Sequence, residues 1–212
     1  MQLKDFFSIS DKPALLTKRN IWIFFRYVVL YAITIHLSLG VIAYIRNHRA
    51  DGAQYGAVLI SGQTFTKYDH WLSFVVMFGA YPYWTPYLNN RGLKAQWVIN
   101  ARSTDLERVI RDGKCVSIVL VGHGSFSLWA ATDKDITPDE VAQMMIGQKK
   151  KTGEWLQLTC GVDEGLPKLG ELVMDKERVY TYAESINAYY LITDALFGFK
   201  YIKSLSHRRN MR

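Results

Sequence analysis

Two cysteines, five prolines and a nearly neutral central region set the first limits on this 212-residue chain. So few prolines leave no long Pro-rich linker, and there is no internal repeat or homopolymeric tract. No Cys-x-x-Cys or His-Glu-x-x-His is present, and His36, His48, His70 and His207 are scattered, so a metal centre has no ligand cluster to build on. A phosphate loop, a dinucleotide fingerprint and the Gly-x-Ser-x-Gly elbow are missing too. No cofactor is therefore implied.

The net charge is +7, but little of it belongs to the central region. Residues 1–50 carry seven Lys/Arg against two acids, and residues 201–212 carry Lys203, Arg208, Arg209 and Arg212 with no acid. Residues 51–200 hold 15 basic and 17 acidic side chains. A nucleic-acid binder spreads positive charge over a folded face. Here it flanks the ends, which points to a bilayer partner and away from nucleic acid.

Residues 21–45, Ile21 to Ile45, are predominantly apolar and would span ~37 Å as a helix, enough for ~30 Å of hydrocarbon. Arg26 can snorkel from near one end, and Trp22, Tyr27 and Tyr44 lie where interfacial aromatics are expected. His36 near the middle fits a helix–helix contact with a membrane partner. The run is too long and starts too late for a signal peptide, and no small-x-small site follows. The expectation is a single-pass membrane protein. Lys4, Lys12, Lys18 and Arg19 on one side balance Arg46, Arg49 and Lys67 on the other, leaving orientation open. A second uncharged run, Trp71 to Asn90, reads as a helix over residues 69–79 and then a loop, because Pro82 and Pro86 interrupt it. A second span is the alternative.

The rest alternates strand and helix. Strands are expected at 57–61, 93–99, 115–121, 155–159 and 178–182, with a hairpin through 125–132. Helices are expected after a Thr104 cap, from Thr137-Pro138-Asp139-Glu140, over 166–174 and over 188–197. The fold class is α/β, a sandwich around a mostly parallel sheet. The segments are a basic stretch 1–20, a transmembrane helix 21–45, a linker 46–54, a domain 55–200 and a basic tail 201–212. Lys149-Lys150-Lys151 reads as a solvated turn.

Two phrases carry chemistry. Ser117-Ile-Val-Leu-Val-Gly-His123-Gly-Ser125 and Trp155-Leu-Gln-Leu-Thr-Cys160-Gly161 are each an apolar strand ending on a reactive residue before glycine. Ligands of open α/β sheets sit at carboxyl strand ends, where both residues fall. An imidazole beside a thiol lowers its pKa, takes its proton and returns one to a leaving amine. Gly124 allows close approach of substrate backbone, and the amides of Gly124 and Cys160 can face a developing oxyanion. A Cys115–Cys160 disulfide is not expected, because parallel neighbouring strands would hold opposite ends ~15–20 Å apart. Two free thiols favour a reducing compartment, hence the cytoplasmic side.

Val119-Leu-Val-Gly-His123-Gly124 and Leu156-Gln-Leu-Thr-Cys160-Gly161, with Thr137-Pro-Asp-Glu-Val-Ala142 between them, resemble the caspase-like superfamily of cysteine peptidases. Bacterial caspase-haemoglobinase-like and toxin autoprocessing domains are the nearer relatives by eye. The resemblance covers residues 55–200 and implies a caspase-like three-layer sandwich, His123 as general base, Cys160 as nucleophile and Gly124 in the oxyanion site. Gly165 and the helix from Leu166 also match. Thr159, where a small residue is common, and the long Gly161-Val-Asp-Glu-Gly165 depart from the pattern and bear on substrate choice.

These residues imply a membrane-anchored cysteine endopeptidase acting on membrane-proximal protein or peptide. Two alternatives stay open: an inactive caspase-like binding or regulatory module, and a cysteine transpeptidase. Asp133, Asp135, Asp163 and Glu164 are candidates to select a basic substrate residue, or else solvated loop acids.

Overall fold

A computed structural model describes residues 18–50, 52–63, 71–125, 127–159, 167–182, 194, 197–200 and 202–203. The chain forms two compact units, Met1–Leu39 and Gly40–Arg212. One helix, α1 (Lys18–Arg49), begins in the first and ends in the second, and extends beyond both ends of the expected 21–45 segment. In the first unit its large apolar side chains are exposed, from Ile21, Phe24 and Leu30 to Ile33 and Leu37. Its hydroxyls return to the helix, Thr34 Oγ1 donating to Leu30 O and Ser38 Oγ to Thr34 O, each at 2.8 Å. Among the described residues, this is the one helix long and apolar enough to cross a membrane.

The second unit is built, in chain order, from the end of α1, β1 (Tyr55–Ile60), α2 (Leu72–Asn89), β2 (Lys94–Ile99), α3 (Ser103–Arg111), β3 (Cys115–Val121), β4 (Gly124–Ser125), β5 (Leu128–Ala130), β6 (Asp135–Ile136), α4 (Pro138–Met144), β7 (Trp155–Leu158), α5 (Leu169–Val173) and β8 (Val179–Thr181). Five strands form a parallel sheet in the order β2-β1-β3-β7-β8. The short β4, β5 and β6 make a separate antiparallel sheet.

Parallel strands read as unbroken apolar runs because both faces are covered. On one face Ala57, Leu59, Ile118, Leu120 and Trp155 pack with Leu106 and Ile110 of α3, Val141 and Met144 of α4, and Val173 of α5. On the other, Val58, Ile60, Val119 and Val121 pack with Ala80, Trp84 and Leu88 of α2 and with Phe199 and Ile202. The expected α/β class with a mostly parallel sheet is the observed one.

Two local expectations need correction. The stretch after Gly79 is not a loop: α2 continues through Pro82 and Pro86 to Asn89. An interior proline loses one backbone bond, and burial of Trp84, Tyr87 and Leu88 offsets that loss here. Thr104 is not a cap either, since α3 starts at Ser103. Asp105 Oδ2 accepts the Arg102 amide at 3.0 Å, and Asp133 accepts from both the Ser103 amide and hydroxyl. The start at Thr137 does hold, with the Thr137 amide donating to Glu140 Oε2 at 2.9 Å ahead of Pro138.

The last turns of α1 are fastened to β2, an edge of the sheet. Asn47 Nδ2 donates to Ala95 O at 3.0 Å, and Asn47 Oδ1 accepts from the Ala95 amide at 2.7 Å, so one side chain occupies the outer edge of a β2 residue. Asn89 Nδ2 also donates to Asn47 Oδ1, and Arg46 to Asn90 Oδ1. A Cβ on Gly40 would lie 3.9 Å from Pro82. From Gly40 to Asn47, α1 therefore tracks α2 from Pro82 to Asn89 in the same direction, towards the amino edge of the sheet.

At that amino edge Lys151 is buried, not solvated, and donates to the carbonyls of Asp112 at 2.9 Å and Cys115 at 2.7 Å. Glu154 accepts there from Tyr87, from Arg91 at 3.1 Å and from Lys203 at 2.6 Å. Lys203, at the head of the expected basic tail, is thus part of the folded unit, and Ile202 is fully buried.

Candidate functional site

β3 and β7 are parallel neighbours, with Val121 opposite Leu158 on their last shared rung. His123 and Cys160 follow those two residues at the same offset in sequence. His123 is exposed at the carboxyl edge. Cys160, with Gly161, Asp163, Glu164, Gly165 and Leu166, lies outside the described residues.

The chain leaves β3 through two glycines with positive φ, Gly122 at 143° and Gly124 at 145°. A Cβ on Gly122 would sit 2.7 Å from Ser61 Cβ, and one on Gly124 would sit 2.1 Å from the Leu128 carbonyl oxygen. The hairpin therefore requires glycine at 124 whether or not substrate approaches there. The His123 carbonyl accepts from the Ala130 amide at 3.0 Å, and Gly124 pairs with Trp129. Antiparallel ladders alternate bonded and non-bonded pairs, so the Gly124 amide falls on the side of β4 away from β5.

Buried polar side chains of β7 hold this hairpin. Gln157, fully buried, donates from Nε2 to the Ser125 carbonyl and to Leu128 O at 3.3 Å, while its Oε1 accepts from Trp155 Nε1 at 3.2 Å. Thr159 Oγ1 donates to Ser125 O at 3.2 Å. Thr159 thus ties the end of β7 to the segment after His123. Sequence reading missed Gln157; the signal was a lone amide inside an otherwise apolar strand, which needs buried partners.

The neighbouring strand ends are joined in the same way. The Gly62 amide donates to Thr132 Oγ1 at 2.8 Å, Gln63 Nε2 to Ala131 O at 3.0 Å, and the Thr132 amide to Ala101 O at 2.9 Å. Of the candidate selectivity acids, Asp133 is committed to Ser103. Burial would raise its carboxyl pKa, but the hydrogen bonds from Ser103 outweigh burial and hold it below the usual range. Asp135 is exposed on β6.

Cys115 is free and buried at the opposite edge. Burial, partly offset by the Lys151 charge, pushes its thiol up to about 11. It is thus a core residue with almost no thiolate at neutral pH.

No protein-family model matches this chain, and neither a curated protein nor a solved structure is found to be similar to it.

Proposed function

We propose that this chain is a membrane-anchored cysteine endopeptidase of caspase-like type, with α1 crossing the bilayer, Cys160 as nucleophile and His123 as its base. The observation that carries the reading is the parallel pairing of β3 with β7, whose last rung, Val121 opposite Leu158, is followed at equal offsets by the two reactive residues. The anchor rests on the long α1, whose large apolar side chains from Ile21 to Leu39 are exposed in the first unit.

In this reading His123 takes the Cys160 proton and the thiolate attacks a peptide carbonyl carbon. The tetrahedral oxyanion faces the amides of Gly124 and Cys160. Its collapse breaks the C–N bond as His123 protonates the leaving amine, and water, deprotonated by the same imidazole, then hydrolyses the thioester.

The test is mass spectrometry of the full chain in detergent after treatment with a panel of peptidyl acyloxymethyl ketones. The expected result is an adduct on Cys160, absent in Cys160→Ala and at least ~100-fold slower in His123→Ala. Cys115 stays unmodified at pH 7, where a pKa of about 11 leaves about one thiolate in 10⁴. Folded protein that gives no adduct with any probe, while iodoacetamide labels Cys160 at an ordinary slow rate, would overturn the peptidase reading in favour of a non-catalytic module.

A further inference from the structure

The amino edge of the sheet, opposite His123, holds a cavity of about 470 Å³ between the end of α3, the start of β3 and the loop that leads from α4 to β7. That volume lies within the range of small-molecule sites, about 300–1,000 Å³. Lys149, Lys150 and Lys151 all line it, and none of its lining residues is acidic. The run of three lysines that looked like a solvated turn is therefore one wall of a concave, positively charged site.

Lys151 supplies a second, independent observation. It is 8% exposed, and its ammonium donates to two backbone carbonyls, those of Asp112 and Cys115. An ammonium carries three donors, so one is left without an acceptor among the described residues. Neither Lys149 nor Lys151 forms an ion pair among the described residues. The carboxylate of Asp112 is turned elsewhere, to the Tyr55 hydroxyl at 2.7 Å and the Lys114 amide at 2.9 Å. Burial of a charge without a counter-charge is unfavourable, and burial lowers the Lys151 pKa accordingly. Lys150 turns its ammonium to the carbonyls of Glu171 at 3.0 Å and Met174 at 3.1 Å, 4.0 Å from Asp175, whereas Lys149 is exposed. A phosphate group brings close to two negative charges and three acceptor oxygens, which suits several ammonium groups better than a single carboxylate does. Beside the lysines, the side-chain amides of Gln54 and Gln148 line the cavity and have no partner among the described residues, so they are free to bond a polar ligand body.

We propose that this amino-edge cavity binds a small organic phosphate, with the phosphate as counter-charge to Lys149 and Lys151 and the polar body against Gln54 and Gln148. The site lies wholly within the second unit, at the sheet edge opposite His123. It rests neither on catalysis at Cys160 nor on α1 crossing a bilayer.

The test is isothermal titration calorimetry of the full chain in uncharged detergent at about 0.15 M salt. The probes are adenosine monophosphate and glucose 6-phosphate, beside adenosine, glucose and inorganic phosphate. At least one phosphomonoester is expected to bind at one site per chain, at least ~10-fold more tightly than its phosphate-free parent and than inorganic phosphate. Lys149 and Gln54 are exposed, so Lys149→Gln and Gln54→Ala keep the fold, and each is expected to weaken binding at least ~5-fold at an unchanged melting temperature. Lys94→Gln, on the edge strand β2, is expected to leave affinity as it is. Absence of binding by both phosphomonoesters at millimolar concentration would overturn the inference. Equal affinity for the phosphate-free parent would overturn phosphate recognition, and equal affinity for inorganic phosphate would replace the organic ligand with a bare counter-ion. An equal loss in Lys94→Gln would reduce the effect to general charge attraction and overturn the site.

Discussion

Replacing Asn47 with alanine removes three hydrogen bonds at one point, two to Ala95 and one from Asn89. Ala95 is 5% exposed and lies on an edge strand, so its outer amide and carbonyl depend on that one side chain. At about 1 kcal/mol for each neutral hydrogen bond the loss is about 3 kcal/mol. Water admitted to the vacated space would recover part of it, leaving an expected loss of about 2–3 kcal/mol. That corresponds to roughly 30- to 140-fold faster opening at this rung. Amide hydrogen exchange on the full chain in nanodiscs measures it directly, reading Ala95 against Val58, which sits in the central β1. Ala95 is expected to accelerate by that factor in Asn47→Ala and Val58 to change far less. An Ala95 rate equal to the parent's would refute the idea that Asn47 occupies this edge in solution.

Two further outcomes follow from the geometry. Gly124→Ala drives a Cβ to 2.1 Å from a backbone oxygen at a φ of 145°, so the β4–β5 hairpin must shift; a stability loss of at least ~2 kcal/mol is expected, and an unchanged melting temperature would contradict the packing described. Burial would raise the Glu154 pKa above its ordinary 4.5, but hydrogen bonds from Lys203 and Tyr87 and the charges of Lys203 and Arg91 outweigh burial and lower it. A depressed folded-state pKa means that its stabilisation is present above about pH 4.5 and is lost as pH falls through the lower folded value. In Glu154→Gln, unfolding curves should therefore fall less steeply below that pH, and an acid limb as steep as the parent's would count against this role.

Elements whose signal is local were legible in the sequence. β3 begins and ends where its apolar run does, and α4 starts on its own cap, proline and acids. The parallel pairing of β3 with β7 agrees with the expectation of a mostly parallel sheet, since the connection between them is long enough for a crossover. What could not be read depends on partners distant in sequence. Pro82 and Pro86 ordinarily argue against a helix, and only the packing of Trp84 and Leu88 on the sheet reverses that. Lys151 looks identical to Lys149 and Lys150, yet its ammonium is buried on the carbonyls of Asp112 and Cys115, while Lys150 reaches the carbonyls of Glu171 and Met174 from an exposed position. At the candidate site the histidine and its glycines stood out as a motif. The supports beneath them, Gln157 and Thr159, did not, because a polar residue in a strand reads as an interruption until its acceptor, the Ser125 carbonyl, is seen.

The strand order also governs how the protein can be made. β1 lies between β2 and β3, and β3 is the last of the three to be synthesised. After β1 emerges from the ribosome, its inner edge, with the apolar run Ala57 to Ile60, waits for about 55 residues of further chain, roughly 3–11 s at cellular elongation rates. During that interval α1 has already left the ribosome and can enter lipid, while an unpaired, water-averse strand follows it. Biogenesis thus has a window for misassembly that closes only with the arrival of β3, so factors that shield nascent strands close to the membrane should govern yield more than the stability of the finished sheet does.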